Sequence, residues 1–278
     1  MATLEFSGLL FLGAIAAGGL GALTGLGGGV VIVPLLTLLF GVDIRYAIGA
    51  SLISVIATSS GSAAAYVRDG YSNVRIGLFL EIATCLGALA GAALAAFVPT
   101  KSLAILFGVV LLYSSFASKQ HDEPSRAAAG PKSLGQRLRL NGEYPADEGW
   151  RKYSVVRVPL GFAIMVVAGV LSGLLGIGSG AVKVLAMDQA MKLPFKVSTT
   201  TSNFMIGVTA AASAGVYLKR GYIQPGLAMP VMLGVLVGSL LGARVLMTAS
   251  VSRLRLLFRT VILVLAIEMI YNGVAGNI

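Results

Sequence analysis

The chain has 278 residues, of which 56% are hydrophobic and 12% charged, and its formal net charge at pH 7 is +10. Its single cysteine, Cys85, excludes an internal disulfide, and with one histidine, His121, the sequence offers no His/Cys/carboxylate cluster for a metal ion. Most Lys and Arg residues flank apolar runs, where they set membrane orientation. We therefore expect membrane lipid around the chain, no nucleic-acid partner and no cofactor.

Apolar runs close to the roughly 20 residues that cross a bilayer recur along the whole chain. They are Leu4–Thr24, Tyr46–Val67, Ile76–Val98, Ser102–Ser118, Val158–Leu175, Val197–Leu218, Leu227–Met247 and Leu256–Tyr271. The runs lack the alternation of barrel strands, and in lipid only helices or closed barrels satisfy the backbone. An all-α polytopic protein of the cytoplasmic membrane is predicted. The first run lacks a basic n-region, so no cleaved signal peptide is expected.

An ungapped internal repeat relates the two halves at an offset of 151 residues. Nineteen of the seventy-six positions from Gly18 to Ala93 have an identical partner. The pairs include Gly25/Gly176, Gly27/Gly178, Gly29/Gly180, Ser51/Ser202, Thr58/Thr209, Tyr66/Tyr217, Gly87/Gly238 and Gly91/Gly242. Such duplication in a membrane chain is typical of secondary transporters, whose substrate site lies where the repeats meet.

Two shorter apolar segments, Val30–Phe40 and Ala181–Met191, occupy matching places in the repeats. If they cross the membrane, each repeat has five spans and the copies are inverted. Fifteen basic residues then lie inside and four outside, with the linker cytoplasmic and both termini outside. The alternative is four plus four parallel spans with re-entrant half-helices, which gives twelve inside and seven outside. The positive-inside rule favours five plus five.

The predicted division is a first repeat at residues 1–118, a linker at 119–155 and a second repeat at 156–278. The linker is polar and charged, and its composition predicts a cytoplasmic tether with a short helix around Ser133–Leu140. A regulatory role for this linker is the alternative. The sequence leaves a homodimer open.

The glycine-rich breaks Gly25–Gly29 and Gly176–Gly180 each precede one of the short segments. Glycine there lets the backbone leave helical geometry, and the helix that follows directs its amides and positive dipole end at the same place. Close helix packing through small residues is the alternative, and it explains Gly87, Gly91, Gly238 and Gly242 well.

Lys183 stands three positions after the second break, where its repeat mate is Ile32. A membrane ammonium costs about 2.5–3.5 kcal/mol unless paired or hydrated, so it either binds an anion or snorkels to a vestibule. The predicted substrate-binding residues are Gly27, Gly28, Gly29, Val30, Ser51, Gly178, Ser179, Gly180, Ala181, Lys183, Thr200, Thr201, Ser202 and Asn203. Candidates for proton coupling are Glu81, Asp188 and Glu268.

In these residues the chain resembles the TauE/SafE family of sulfur-anion transporters, historically called sulfite exporters. The features that carry the resemblance are the two glycine breaks with their short helices, Ala50-Ser51, Thr201-Ser202-Asn203 and the Gly87/Gly91 and Gly238/Gly242 pairs. The resemblance implies transmembrane movement, usually outward, of sulfite, sulfoacetate or a related organosulfonate. It also implies that the break regions and the Ser/Thr/Asn run carry this small anionic sulfur compound.

Two other classes compete with transport by alternating access. An intramembrane enzyme with Ser179 as nucleophile would need a base within reach, and the only histidine, His121, lies in the polar linker. We therefore expect no enzymatic activity and no catalytic residues. A channel, or an importer of another small anion, is compatible with the residues, although inverted repeats with paired broken helices favour alternating access.

Overall fold

The structure is a computed structural model that describes residues 3–22, 28–68, 72–117, 134–146, 149–248, 251–276 and 278. It is all-α apart from one hairpin within this described part, which confirms the predicted fold class. Two of its helices, Val74–Leu94 and Val158–Leu175, are by themselves long and apolar enough to cross a membrane.

Each repeat contains five helical segments in the same order. The first comprises α1 (Thr3–Ala22), α2 (Gly29–Pro34) with a π-helical turn (Leu35–Leu39), α3 (Ile44–Arg68), α4 (Val74–Leu94) and α5 (Thr100–Ala117). The second comprises α7 (Val158–Leu175), α8 (Gly180–Leu185) with a π-helical turn (Ala186–Ala190), α9 (Phe195–Lys219), α10 (Pro225–Thr248) and α11 (Val251–Ala275). Pro34, which donates no backbone hydrogen bond, precedes the first π-helical turn.

The repeats run in opposite directions. At one end, the Tyr46 ring in the first turn of α3 packs against Tyr222, just beyond α9, with ring centroids 5.6 Å apart. At the other end, the amide of Asn73, which follows α3, donates to Thr201 Oγ1 in α9 at 3.0 Å. The equivalent helices α3 and α9 are therefore antiparallel, as the inverted arrangement requires.

The short segments return along the helix that precedes them. The Phe6 ring near the start of α1 packs against Phe40, which ends the first short segment, with centroids 5.9 Å apart. In the second repeat, the Val156 amide donates to Met191 O at 3.2 Å, which joins the start of α7 to the end of the short segment. The short segments thus change the chain direction, which favours five plus five over the parallel alternative.

Close helix crossings hold the repeats together. α1 packs along α10, and α4 along α7, so each contact joins one repeat to the other. Gly87 and Gly91 lie directly against the backbone of Val166 and Val170, where a side chain would overlap main-chain atoms. Gly238 meets Ile15 in the same way, as expected for small residues at membrane helix contacts.

The start of α1 and residue Ile278 lie at the side opposite the linker. Thr100 Oγ1, at the start of α5, donates to the carbonyl of the C-terminal Ile278 at 3.4 Å. Arg45 at the start of α3 donates to Val98 O, close to the same end of α5, at 3.0 Å. At the far end of the helices, the Arg75 guanidinium in α4 donates to the linker carbonyl of Arg139 at 2.9 Å.

The described half of the linker is folded. A short helix α6 (Leu134–Arg137), within the predicted range, precedes a hairpin of strands β1 (Gly142–Ala146) and β2 (Gly149–Tyr153) that the sequence analysis missed. Buried linker side chains join the core formed by α4, α7 and α9, and they are Leu140, Tyr144, Tyr153 and Val155. Burial raises the pKa of Tyr153 and keeps its hydroxyl neutral. This part of the linker is therefore more than a tether.

Asn73 connects the linker to the start of α4, so Asn73→Ala is expected to loosen both. Its Oδ1 caps α4 by accepting from the Ile76 amide at 3.0 Å, and its Nδ2 donates to Tyr153 Oη at 2.6 Å and Leu140 O at 3.2 Å. Loss of such a cap costs about 1 kcal/mol. We expect faster hydrogen exchange in the hairpin. Tyr153→Phe, which keeps the cap, should have a smaller effect, and unchanged exchange in Asn73→Ala would contradict this role.

Candidate functional site

The two glycine breaks meet at the interface between the repeats. Ser51 Oγ in α3 donates to Gly176 O in the second break at 2.9 Å. A Cβ added to Gly29 at the first break would lie 3.0 Å from the same carbonyl and 2.8 Å from Val55. We call this meeting point, formed by Gly28–Val30, Ser51 and Gly176–Gly180, the junction. Gly25 and Gly27 lie outside the described residues.

The breaks differ in backbone conformation. Gly176 and Gly178 have φ of +67° and +70°, a region that glycine enters without a steric penalty. Ser179 shares this left-handed conformation with φ of +45°, whereas its repeat mate Gly28 has φ of −62°. The serine therefore carries strain that a glycine would not. Strained non-glycine residues are concentrated at functional sites.

Unused hydrogen-bonding groups remain at the second break. Ser179 is 3% exposed, and its Oγ has no partner within the described structure. The Lys183 amide bonds to Ser179 O, and the Val31 and Ile32 amides bond to Gly28 O, all at 3.1 Å. Within the described residues, the groups left to bind a ligand are the amides at the first two positions of each short helix and the Ser179 hydroxyl.

Ser179→Gly separates structural strain from ligand binding. Glycine removes the left-handed penalty of about 1–2 kcal/mol, so we expect a higher Tm in detergent. It also removes the unpartnered hydroxyl, so we expect weaker binding of sulfoacetate, measured on the same sample. Thr37→Ala is the matched control, because it removes another buried hydroxyl without a partner among the described residues, on the π-helical turn that follows α2. A Tm that falls, or affinity that is unchanged, would contradict this assignment.

The predicted hydroxyl run at the start of α9 divides among several environments. Ser202 Oγ donates to Gly180 O at 3.2 Å and so faces the junction. Thr201 accepts from Asn73, whereas Thr200 Oγ1 donates to the carbonyl of Lys196 in its own helix at 2.9 Å. Asn203 is buried. Of this run, Ser202 has the direct contact with a glycine break.

Lys183 is completely buried, so the snorkelling alternative is wrong. Its Nζ donates to Thr209 Oγ1 at 2.5 Å, and Thr209 Oγ1 lies 2.6 Å from Glu81 Oε1. Glu81 is 5% exposed, and its Oε2 has no partner among the described residues. The structure thus links a buried ammonium to a buried carboxylate through one hydroxyl.

Sequence reasoning missed the bridging role of Thr209, although its identity with Thr58 in the repeat was a signal. The other proposed proton carriers lie elsewhere. Asp188 is on the π-helical turn after α8, and Glu268 is exposed on α11, which packs against α5. Ala181 lies in α8, and its side chain is outside the described part.

Comparison with known proteins agrees with this architecture. The family model for "Sulfite exporter TauE/SafE" matches residues 10–269. The chain belongs to this family. TauE/SafE membership makes it a membrane transporter, as the inverted repeats and paired breaks predict.

Relatives across nearly the full length carry general names. "Probable membrane transporter protein YunE" of Bacillus subtilis is 29% identical over 278 residues, which cover 98% of this chain and 99% of the relative. "Probable membrane transporter protein YdhB" of the same organism is 28% identical, with 85% and 87% covered. A similarly named protein of Methanocaldococcus jannaschii is 24% identical, with 94% of each chain covered. No solved structure shows a significant match.

Proposed function

We propose that this protein exports a small sulfur-containing anion, such as sulfite, sulfoacetate or a related organosulfonate, across the cytoplasmic membrane. The observation that carries the proposal is the junction, where two glycine breaks from inverted repeats meet and the second break leads into the short helix that contains the buried Lys183. Ionisable residues buried in membrane helices mark functional sites, which include substrate and ion pathways. The TauE/SafE family supplies the sulfur-anion substrate class and the outward direction.

The proposed site combines backbone and side-chain donors. The first-turn amides of α2 and α8, the Ser179 hydroxyl and Lys183 Nζ are suited to the oxygens of a sulfonate or sulfite group. Ser51 and Ser202 donate to Gly176 O and Gly180 O, and so hold the two breaks in place. The direct ligands are therefore few, and most of them are uncharged.

Transport requires the junction to open, because all residues of Gly28–Pro34 and Ser172–Gly180 are buried. Movement of one repeat against the other would expose it alternately to the two faces, as in other inverted-repeat transporters. The linker lies at the side of the helices opposite the start of α1 and Ile278, and the basic residues favour a cytoplasmic linker with the termini outside.

Flux from proteoliposomes tests the proposed function. Vesicles containing purified protein are loaded with sulfite, sulfoacetate, thiosulfate or a carboxylate of similar size, and efflux is compared with empty vesicles. Faster efflux of at least one sulfur anion than of the carboxylate supports the proposal. Equal efflux from protein-containing and empty vesicles for every sulfur anion would refute it.

A further inference from the structure

The bridge of Lys183, Thr209 and Glu81 connects the two repeats, and the related positions of the other copy do not repeat it. Glu81 belongs to α4 of the first repeat, and the other two residues belong to α8 and α9 of the second. At the symmetry-related positions, the partners of Lys183 and Glu81 are the apolar Ile32 and Met232. The duplicated fold does not require this bridge for packing, since the other copy has apolar residues at the same positions.

Resting on the proposed function, we propose that Glu81 carries one proton with each transported anion, since Lys183 can neutralise only one negative group at a time. In the empty transporter that group is the Glu81 carboxylate, reached through Thr209. When an anion binds Lys183 at the junction, an ionised Glu81 would be left as an uncompensated buried charge, which is strongly unfavourable. Glu81 therefore takes up a proton from the side on which the anion enters.

The hydroxyl of Thr209 provides the switch between these states. The two nearest acceptors for its single proton are Glu81 Oε1 at 2.6 Å and the Met205 carbonyl of its own helix at 2.9 Å. With Glu81 ionised, the hydroxyl donates to the carboxylate while it accepts from Lys183. Once Glu81 is protonated, the hydroxyl turns to Met205 O and the link between the repeats is released.

In the part of the chain that the structure describes, the contacts of Glu81 include no second cation that could replace Lys183. On its own helix, Cys85 Sγ lies 3.3 Å from Glu81 Oε1, and Thr84 Oγ1 is 3.5 Å from Thr209 Oγ1. The middle of α9 faces it with Thr209, and α7, which packs along α4, contains no ionisable side chain. Asp188, on the π-helical turn that continues α8, is the nearest carboxylate to Lys183 in the sequence.

The number of negative charges that Lys183 can neutralise determines how many protons move with each anion. For a monovalent anion, one negative charge and one proton enter together and leave together, so no net charge crosses the membrane. Efflux then depends on the proton concentration on the loaded side. A step limited by one proton changes by up to about tenfold per pH unit.

The first experiment measures efflux of radiolabelled methanesulfonate, a permanently ionised monovalent probe, from proteoliposomes with the interior at pH 6, 7 or 8. Wild type is expected to be faster with an acidic interior and to raise the internal pH as the anion leaves. Glu81→Gln, with a permanently neutral side chain, should lose this pH dependence, while Glu5→Gln, at an exposed position in α1, should keep it. The proposal would be overturned by wild-type efflux that does not depend on the internal pH and does not change it.

A second experiment tests the bridge without measuring transport. It therefore separates a failure of this inference from a failure of the proposed function. Infrared spectroscopy of the protein in detergent should show a carboxyl C=O band that rises when chloride is replaced by methanesulfonate, and that Glu81→Gln abolishes. Tm values of Lys183→Met, Glu81→Gln and the double variant should be non-additive, with the double variant closer to wild type than the sum of the single losses. Additive losses together with no Glu81-dependent band would refute the bridge.

Discussion

Lys183→Met is expected to weaken binding of the transported sulfur anion by about 10- to 100-fold. Methionine retains the length and apolar stem but removes the only charged donor proposed for the site. A hydrogen bond to a charged group contributes about 1.5–3 kcal/mol, and 1.4 kcal/mol is a factor of ten in affinity. Equilibrium binding of sulfoacetate to the purified protein, followed by calorimetry, measures the change.

Lys219→Met is the matched control for Lys183→Met, because it removes an ammonium that is exposed at the end of α9. The affinity of this variant for sulfoacetate should equal that of wild type. A drop in both variants would indicate a general effect of net charge. Unchanged affinity in Lys183→Met would remove Lys183 from the site.

Gly29→Ala is expected to reduce transport at least about tenfold, because the added methyl group enters the junction. Its Cβ would lie 2.6 Å from Ser51 Oγ, 2.8 Å from Val55 and 3.0 Å from Gly176 O. Contacts this short force the breaks apart, and overpacking of this kind costs about 1–3 kcal/mol. Proteoliposome efflux and Tm are measured together.

Gly215→Ala provides the comparison for Gly29→Ala, since a Cβ at Gly215 in α9 meets nothing within 4 Å. This variant should have wild-type efflux and an unchanged or slightly higher Tm, because alanine favours helix over glycine. If Gly29→Ala also matches wild type in both measurements, the breaks do not meet as described.

The repeat made much of the fold predictable from the sequence. Identical residues at a fixed offset predicted two equivalent halves, and the counts of basic residues predicted that they are inverted. The antiparallel contacts of α3 and α9 agree with this prediction. The sequence also placed Ser51 and Ser202 beside the breaks, because each lies in the N-terminal part of the helix after a short segment.

Other features of the site could not be predicted, because they depend on contacts between distant residues. Glu81 and Thr209 are 128 positions apart, and no local pattern brings them together. The strain at Ser179 depends on the turn that forms between α7 and α8, since its mate Gly28 has ordinary helical geometry. The linker hairpin was missed because its strands are short and polar, and packing against the membrane helices stabilises it.

A structure of the protein with bound sulfoacetate would show whether the junction is the substrate site. We expect the sulfonate group between α2 and α8, with its oxygens within hydrogen-bond distance of first-turn amides from both helices and of Lys183 Nζ. Thr209 should then have turned toward Met205 O. Sulfoacetate bound elsewhere, with the junction still closed by the Ser51–Gly176 contact, would contradict the account.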